Sequence, residues 1–282
     1  MRRLIFALVL AGSVALPLSA ASVDGLEIHS TTWTNVSASG SAGTAPTLVF
    51  VHGWTCDSLS WRGQAGPLSR QYRVVTLDLP GHGESASPPD GKFSMNLFAR
   101  AVEAVRAEIG AERVVLVGHS MGVPVIREYA HLYPEHVAAL VAVDGPLDLR
   151  AFPAQPGAGF PVVTGPDGLK ARETMIRSMF VPETPVALQE QILAMMLAAP
   201  EATAAGAMAT IFDPAIRWTD VIDAPVLAIY AGTARVPDAA TTKELFPNYE
   251  ATQFAGTGHF LMMEKPDEFN RVVAEFLDKI EF

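Results

Sequence analysis

The 282-residue chain has a single cysteine, Cys56, so it has no internal disulfide and must be held together by its core. Positive charge is scarce too. Twenty Lys and Arg stand against thirty Asp and Glu, for a formal net charge of −10. Sequence-independent binding of nucleic acid needs Lys and Arg to neutralise phosphates, and no basic run lies beyond the extreme N-terminus. Internal repeats and low-complexity tracts are absent, which excludes solenoid and linker readings. What remains is 49% hydrophobic and only 18% charged, enough to bury a sizeable core.

The N-terminus reads MRRLIFALVLAGSVALPLSAAS. Arg2 and Arg3 form a positive n-region, a short apolar stretch follows, and Ser19–Ala20–Ala21 supply small residues for cleavage. Residues 1–21 are therefore expected to be a signal peptide, and the mature protein to be periplasmic or secreted. Gly12, Ser13 and Pro17 interrupt the apolar run, and no stop sequence follows, so no stable membrane anchor is expected. The lack of a cysteine near the cut argues against a lipoprotein.

Beyond it, residues 26–36 alternate loosely and are read as an early hairpin. A turn-rich break, SASGSAGTAP, occupies 37–46. Continuous apolar runs at 47–51, 73–81, 113–118, 137–143 and 225–230 are patterned as strands buried on both faces, and 250–254 as a last strand. Helical periodicity fills 95–110, 121–133 and 266–279, with weaker signals at 59–70 and 241–246. Strands alternating with helices predict an α/β fold with a mostly parallel, doubly wound sheet. Residues 145–222 break the rhythm. They open with a Pro/Gly-rich segment and continue as two helical patterns, 167–180 and 185–212, the second rich in Ala and Met. They are read as a helical cap inserted into a core formed by 22–144 and 223–282.

The chemistry centres on VVLVGHSMG, residues 114–122. A buried-type strand runs into G-x-S-x-G and then a helix, the context in which a strained turn can expose a nucleophilic serine, here Ser120. A serine needs a base, and the base an orienting carboxylate. Of seven histidines, His259 is favoured. It lies in FAGTGHF, after the last strand and before the last helix, and loops after strands gather at the carboxyl edge of such a sheet. His29, His82, His131 and His136 read as hairpin, loop or surface residues. His119 is expected to turn away from Ser120, and His52 to orient its own loop. An oxyanion needs two backbone donors; the N–H groups of Met121 and of Trp54, in the loop His52–Gly53–Trp54, are the candidates.

VHGW (51–54), LDLPGHGES (77–85), VGHSMG (117–122), the helical insertion and GTGHFLMMEKP (256–266) together resemble the α/β-hydrolase fold superfamily, in the family's order and over nearly the whole chain after residue 26. The resemblance implies a serine esterase-like enzyme with a Ser–acid–His triad, acyl transfer, and neither metal nor organic cofactor. One element departs from the pattern. The loop that carries the acid in many members reads AGTARVPD (231–238), with Ala234 and Arg235 where the aspartate would fall. Some members carry the acid one strand earlier, which favours Asp144; Asp238 is the alternative, with Asp148 or no acid behind it. A serine at position 120 sets the chain apart from relatives that use an aspartate there, the epoxide hydrolases and haloalkane dehalogenases. Methionines of the insertion (Met175, Met179, Met195, Met196, Met208), with Trp54 and Phe260, suggest a hydrophobic small-molecule ester or lactone as substrate, although plain helix packing explains the methionines as well. Carbon–carbon bond hydrolysis, other acyl transfer, or ligand binding without turnover are the other readings.

Overall fold

The computed structural model describes residues 13–35, 46–150, 163–211, 213 and 216–281. The first twelve residues of the leader, almost all of the break at 37–46 and the start of the Pro/Gly-rich segment, 151–162, lie outside the described residues. In chain order the elements are β1 Ser13–Val23, β2 Leu26–Asn35, β3 Thr47–Val51, α1 Arg62–Leu68, β4 Arg73–Leu77, α2 Met95–Glu108, β5 Val114–His119, α3 Gly122–Leu132 and β6 Val137–Val143. Then come α4 Gly168–Arg177, α5 Val186–Ala198, α6 Glu201–Thr210, β7 Val226–Ala231, α7 Ala239–Lys243, β8 Tyr249–Phe254, α8 Leu261–Glu264 and α9 Pro266–Leu277.

The strands form one sheet in the order β1-β2-β4-β3-β5-β6-β7-β8. β1 and β2 are antiparallel additions; every pair from β4 onward is parallel. The central strands β3, β5, β6 and β7 are buried at every position, which is why they read as unbroken apolar runs rather than alternating ones. Helices cover both faces. α2 begins where the Ser94 hydroxyl accepts the Leu97 N–H at 3.0 Å, and it buries Leu97, Phe98, Ala101, Val102 and Val105. α9 starts on Pro266 and buries Phe269, Val273, Phe276 and Leu277.

Three readings of the sequence change. Residues 26–35 are one strand, not a hairpin. The hairpin partner is β1, joined through Asp24–Gly25, whose φ values of 52° and 81° are those of a two-residue Asp-Gly turn. β1 therefore begins inside the segment read as a leader, with a register shift between Leu18 and Ala21. β4 ends at Leu77, because Pro80 cannot donate to a ladder and Gly81 takes φ +79°. The helical pattern 185–212 is two helices bent by 93°, since Ala199 precedes Pro200 and is driven to extended backbone (ψ 134°). No single helix among the described residues is long and apolar enough to cross a membrane, although this bent pair passes that test on length and composition.

The three helices between β6 and β7 rejoin the core through a buried cluster. Arg127 of α3, 1% exposed, donates to the Asp220 carboxylate at 2.9 and 3.1 Å and to its carbonyl at 2.8 Å. Its guanidinium lies 5.3 Å from the Trp218 ring and 5.4 Å from that of Phe246, and the Trp218 indole donates to Glu128 at 2.6 Å. The segment that leads back from the insertion to β7 is thus fixed to the helix that follows Ser120.

Candidate active site

β5 and β6 run side by side with His119 paired to Val143, so the next residues, Ser120 and Asp144, leave the sheet at the same level. Both do so at positive φ, 53° and 43°, which is strained for side chains with a Cβ. Ser120 N–H still donates to the Val143 carbonyl at 2.9 Å, and Asp144 N–H to that of Ile229 at 2.9 Å. The elbow around Ser120 closes only because glycines flank it. A Cβ on Gly118 would lie 2.4 Å from the Gly122 carbonyl oxygen, and one on Gly145 would lie 2.4 Å from that of Ser120.

His259 arrives from the loop between β8 and α8. Its Nδ1 lies 2.6 Å from Asp144 Oδ2, while Asp144 Oδ1 accepts the Ala231 N–H at 2.8 Å. Burial pushes the Asp144 carboxyl up, but the His259 hydrogen bond and charge and the Ala231 N–H outweigh it, leaving the group below the usual carboxylate range. Nδ1 is then the donor, which leaves Nε2 as an acceptor.

Of the candidate acids, only Asp144 meets His259. Asp238 caps α7, accepting from the Thr241 N–H and hydroxyl at 3.0 Å each, and is exposed. Asp148 pairs with Arg150 at 2.8 Å. The loop 231–238, which lacks the aspartate, is held by Gln253, whose amide donates to the carbonyls of Ala231, Gly232 and Ala234 at 2.9, 3.4 and 3.0 Å. Arg235 lies on the rim of a cavity of about 830 Å³, on the Asp144 side, that Tyr230, Pro237 and Thr242 also line.

The loop after β3 presses against the serine. A Cβ on Gly53 would come within 3.1 Å of both Ser120 Cβ and His119 Nδ1. His52 Nε2 accepts the Leu79 N–H at 2.9 Å, so its Nδ1 carries the proton and donates to the Gly53 carbonyl at 2.8 Å. Burial lowers the His52 pKa and keeps the ring neutral. It ties the loop in place, as expected from sequence. Among the described residues neither the Trp54 nor the Met121 N–H has a protein acceptor. The Trp54 indole is buried and donates to the Ala204 carbonyl of α6 at 2.8 Å. Phe260 is buried as well, against the rings of His119, His259 and Phe180. Met196 and Met208 are buried in the hydrophobic core, and Met175, Met179 and Met195 pack half-buried against it.

A second layer organises this loop. The buried Asp78 carboxylate accepts the N–H groups of Ser58 and Glu84 at 2.7 and 2.9 Å and meets His29 Nδ1 at 3.1 Å. Burial raises its pKa, but the His29 hydrogen bond, the nearby His52 imidazole and the two amides pull it down to about 2. A folded pKa below the unfolded value of about 3.9 means stability that is full above pH 4 and is lost as pH falls toward 2. The expected loss is about 2 kcal/mol. Urea unfolding at pH 5 and pH 2.5 should show it, and Asp78→Asn should flatten the difference; an unchanged pH dependence in that variant would refute the assignment.

Three contacts around the His259–Asp144 pair carry no sequence signal: the Ala231 N–H on Asp144, the Met179 carbonyl that accepts the His259 N–H at 3.0 Å, and His119 Nε2, 2.9 Å from the His259 carbonyl oxygen. Backbone partners leave no signature in residue type. His119 turns under the His259 loop, its ring centroid 4.7 Å from that of His259. No group of three or more His, Cys, Asp or Glu side chains able to hold a metal ion occurs among the described residues.

Comparison with known proteins agrees with this fold. The sequence profile of the alpha/beta hydrolase fold family matches residues 46–164. A thermophilic esterase from Thermogutta terrifontis superimposes with a TM-score of 0.77, covering 95% of this chain and 99% of its own at 22% identity. The chain has the α/β-hydrolase fold. A protein of Haemophilus influenzae, provisionally named an esterase/lipase, is 27% identical over 247 residues, 83% of this chain and 84% of that one. Structures of an N-acyl homoserine lactone degrading enzyme (TM-score 0.72, 24% identity, 90% and 98% covered) and of an epoxide hydrolase (0.74, 22%, 94% and 99%) are also similar. The chain thus shares its fold with esterases and epoxide hydrolases alike.

Proposed function

We propose that this α/β hydrolase is a serine hydrolase that cleaves small to medium hydrophobic esters or lactones through an acyl-enzyme. The observation that carries the reading is the 2.6 Å contact between His259 and Asp144, which favours the ionised acid and orients the base, with Ser120 on a strained elbow at the end of the strand paired to the one that carries Asp144. In the proposed cycle His259 Nε2 takes the Ser120 proton as Oγ attacks the carbonyl carbon. The oxyanion is received by the N–H groups of Trp54 and Met121. The imidazolium then protonates the departing alkoxide. Water, deprotonated by the same nitrogen, releases the acid and restores Ser120. Serine at position 120 favours ester cleavage over the epoxide opening of the structural relative, since aspartate is the nucleophile in such enzymes. The altered 231–238 loop favours a non-catalytic binder; the contact between Asp144 and His259 supports the enzyme reading over it.

The cycle needs neither metal nor organic cofactor. The −10 net charge speaks against a nucleic-acid partner, and the site is read as serving a small hydrophobic molecule. Export with cleavage near Ala20 is part of the proposal; it would leave Ala21–Val23 of β1 paired with Leu26–Ile28. A panel of p-nitrophenyl esters from acetate to palmitate, with aliphatic lactones, tests the substrate class. Turnover should peak at short to medium acyl chains and vanish in Ser120→Ala. A protein that carries an activated Ser120 but turns over none of the panel would overturn the ester and lactone assignment.

A further inference from the structure

We propose that His119, the residue just before the nucleophile, is a positioning residue that fixes His259 to the elbow. This rests on the triad reading above. The His259 backbone has two partners outside its own loop. Its N–H donates to the Met179 carbonyl, in the turn after α4, and its carbonyl accepts from His119 at the end of β5. On the first side the fit is close, because a Cβ on the neighbouring Gly258 would lie 2.6 Å from the Met179 oxygen. On the second, one side-chain hydrogen bond joins residues 140 positions apart and so sets the distance between the serine strand and the base.

The acceptor is a carbonyl, so His119 Nε2 must carry the proton. Nδ1 is then a bare acceptor, and it has no hydrogen-bond partner. A fully buried polar atom without a partner costs free energy that an apolar side chain would not. The imidazole is therefore explained by its other nitrogen. The ring is held in place by Trp61, Phe260 and His259 at centroid distances of 6.3, 5.2 and 4.7 Å. The charged or titratable groups that act on it are His259, Asp144 and His52. Burial, followed by the charge of His259, lowers its pKa to about 3. A neutral ring can lie against His259 without repelling the imidazolium that forms during acylation; a cationic one could not.

The test compares two near-isosteres. His119→Gln keeps an N–H where Nε2 stands; His119→Met fills the space without a donor. Ester kinetics and the rate of fluorophosphonate labelling are measured for both and for wild type. His119→Met should lose about 10- to 100-fold in kcat and in labelling rate, with KM within about twofold, while His119→Gln stays within about threefold of wild type. Equal rates in all three, or equal losses in both variants, would overturn the proposal. Should His119→Met not fold, 15N NMR of the wild-type protein decides: His119 should be the neutral Nε2–H tautomer throughout about pH 5 to 8. Titration in that range, or the Nδ1–H tautomer, would refute it. Wild type that is never labelled at Ser120 would overturn the triad and this inference together.

Discussion

Asp144→Asn should lower kcat by about 10⁴-fold with little change in stability, while Asp238→Asn should leave kcat unaltered. The argument is one of proton position. Asp144 accepts at both oxygens, from His259 Nδ1 at 2.6 Å and from the Ala231 N–H at 2.8 Å. An asparagine has one acceptor oxygen, and the Ala231 amide will claim it. The amide nitrogen then faces His259 Nδ1 and can only donate, so the imidazole must carry its proton on Nε2. That tautomer cannot accept the Ser120 proton. Asp238 makes no such contact; its carboxylate is spent on the first turn of α7. Steady-state kinetics on a short p-nitrophenyl ester, with circular dichroism to verify folding, checks both variants. An active Asp144→Asn beside an inactive Asp238→Asn would show that the acid comes from the loop after β7.

Gly122→Ala should cost about 3 kcal/mol of stability and most of the activity. A Cβ there would sit 2.5 Å from the Val51 carbonyl oxygen and 2.8 Å from that of His52. Both are backbone atoms at the end of β3, fixed by ladders on two sides, and no rotamer change can relieve them. The only response is to push α3 away from β3. That motion would separate Ser120 and the Met121 N–H from the loop carrying Trp54. Gly66→Ala is the control. It lies inside α1, where nothing beyond its own chain neighbours is within 4 Å of a Cβ; because Pro67 follows and opposes the gain in helix propensity, alanine should change stability by no more than about 1 kcal/mol. Urea midpoints measure both; a Gly122→Ala protein as stable as wild type would contradict the packing described.

How much of this could be read in the residues follows from how far each determinant reaches along the chain. The parallel core was legible because strands buried on both faces must be apolar at every position, as in TLVFV and VAALVAV. Ser120 and His259 were legible because a strained turn needs its glycines and because loops after parallel strands share one edge. Asp144 was named on the resemblance and on the gap at Ala234–Arg235; the hydrogen bond that singles it out from Asp238 exists only in three dimensions. The β1–β2 hairpin was missed because its Asp24–Gly25 turn follows a segment that reads as a leader. The α5–α6 break was local and readable, since Pro200 sits in the middle of the run. The Met179 carbonyl and the Gln253 amide that hold the catalytic loops were not readable at all. Any residue can offer a carbonyl, and Gln253 sits on an ordinary edge-strand pattern.

The most direct test of the account is to treat the purified protein with a fluorophosphonate and locate the adduct by mass spectrometry. The account predicts one label per chain, on Ser120, and none in a folded His259→Ala variant. A folded wild-type protein that takes no label, or takes it on another residue, would contradict it.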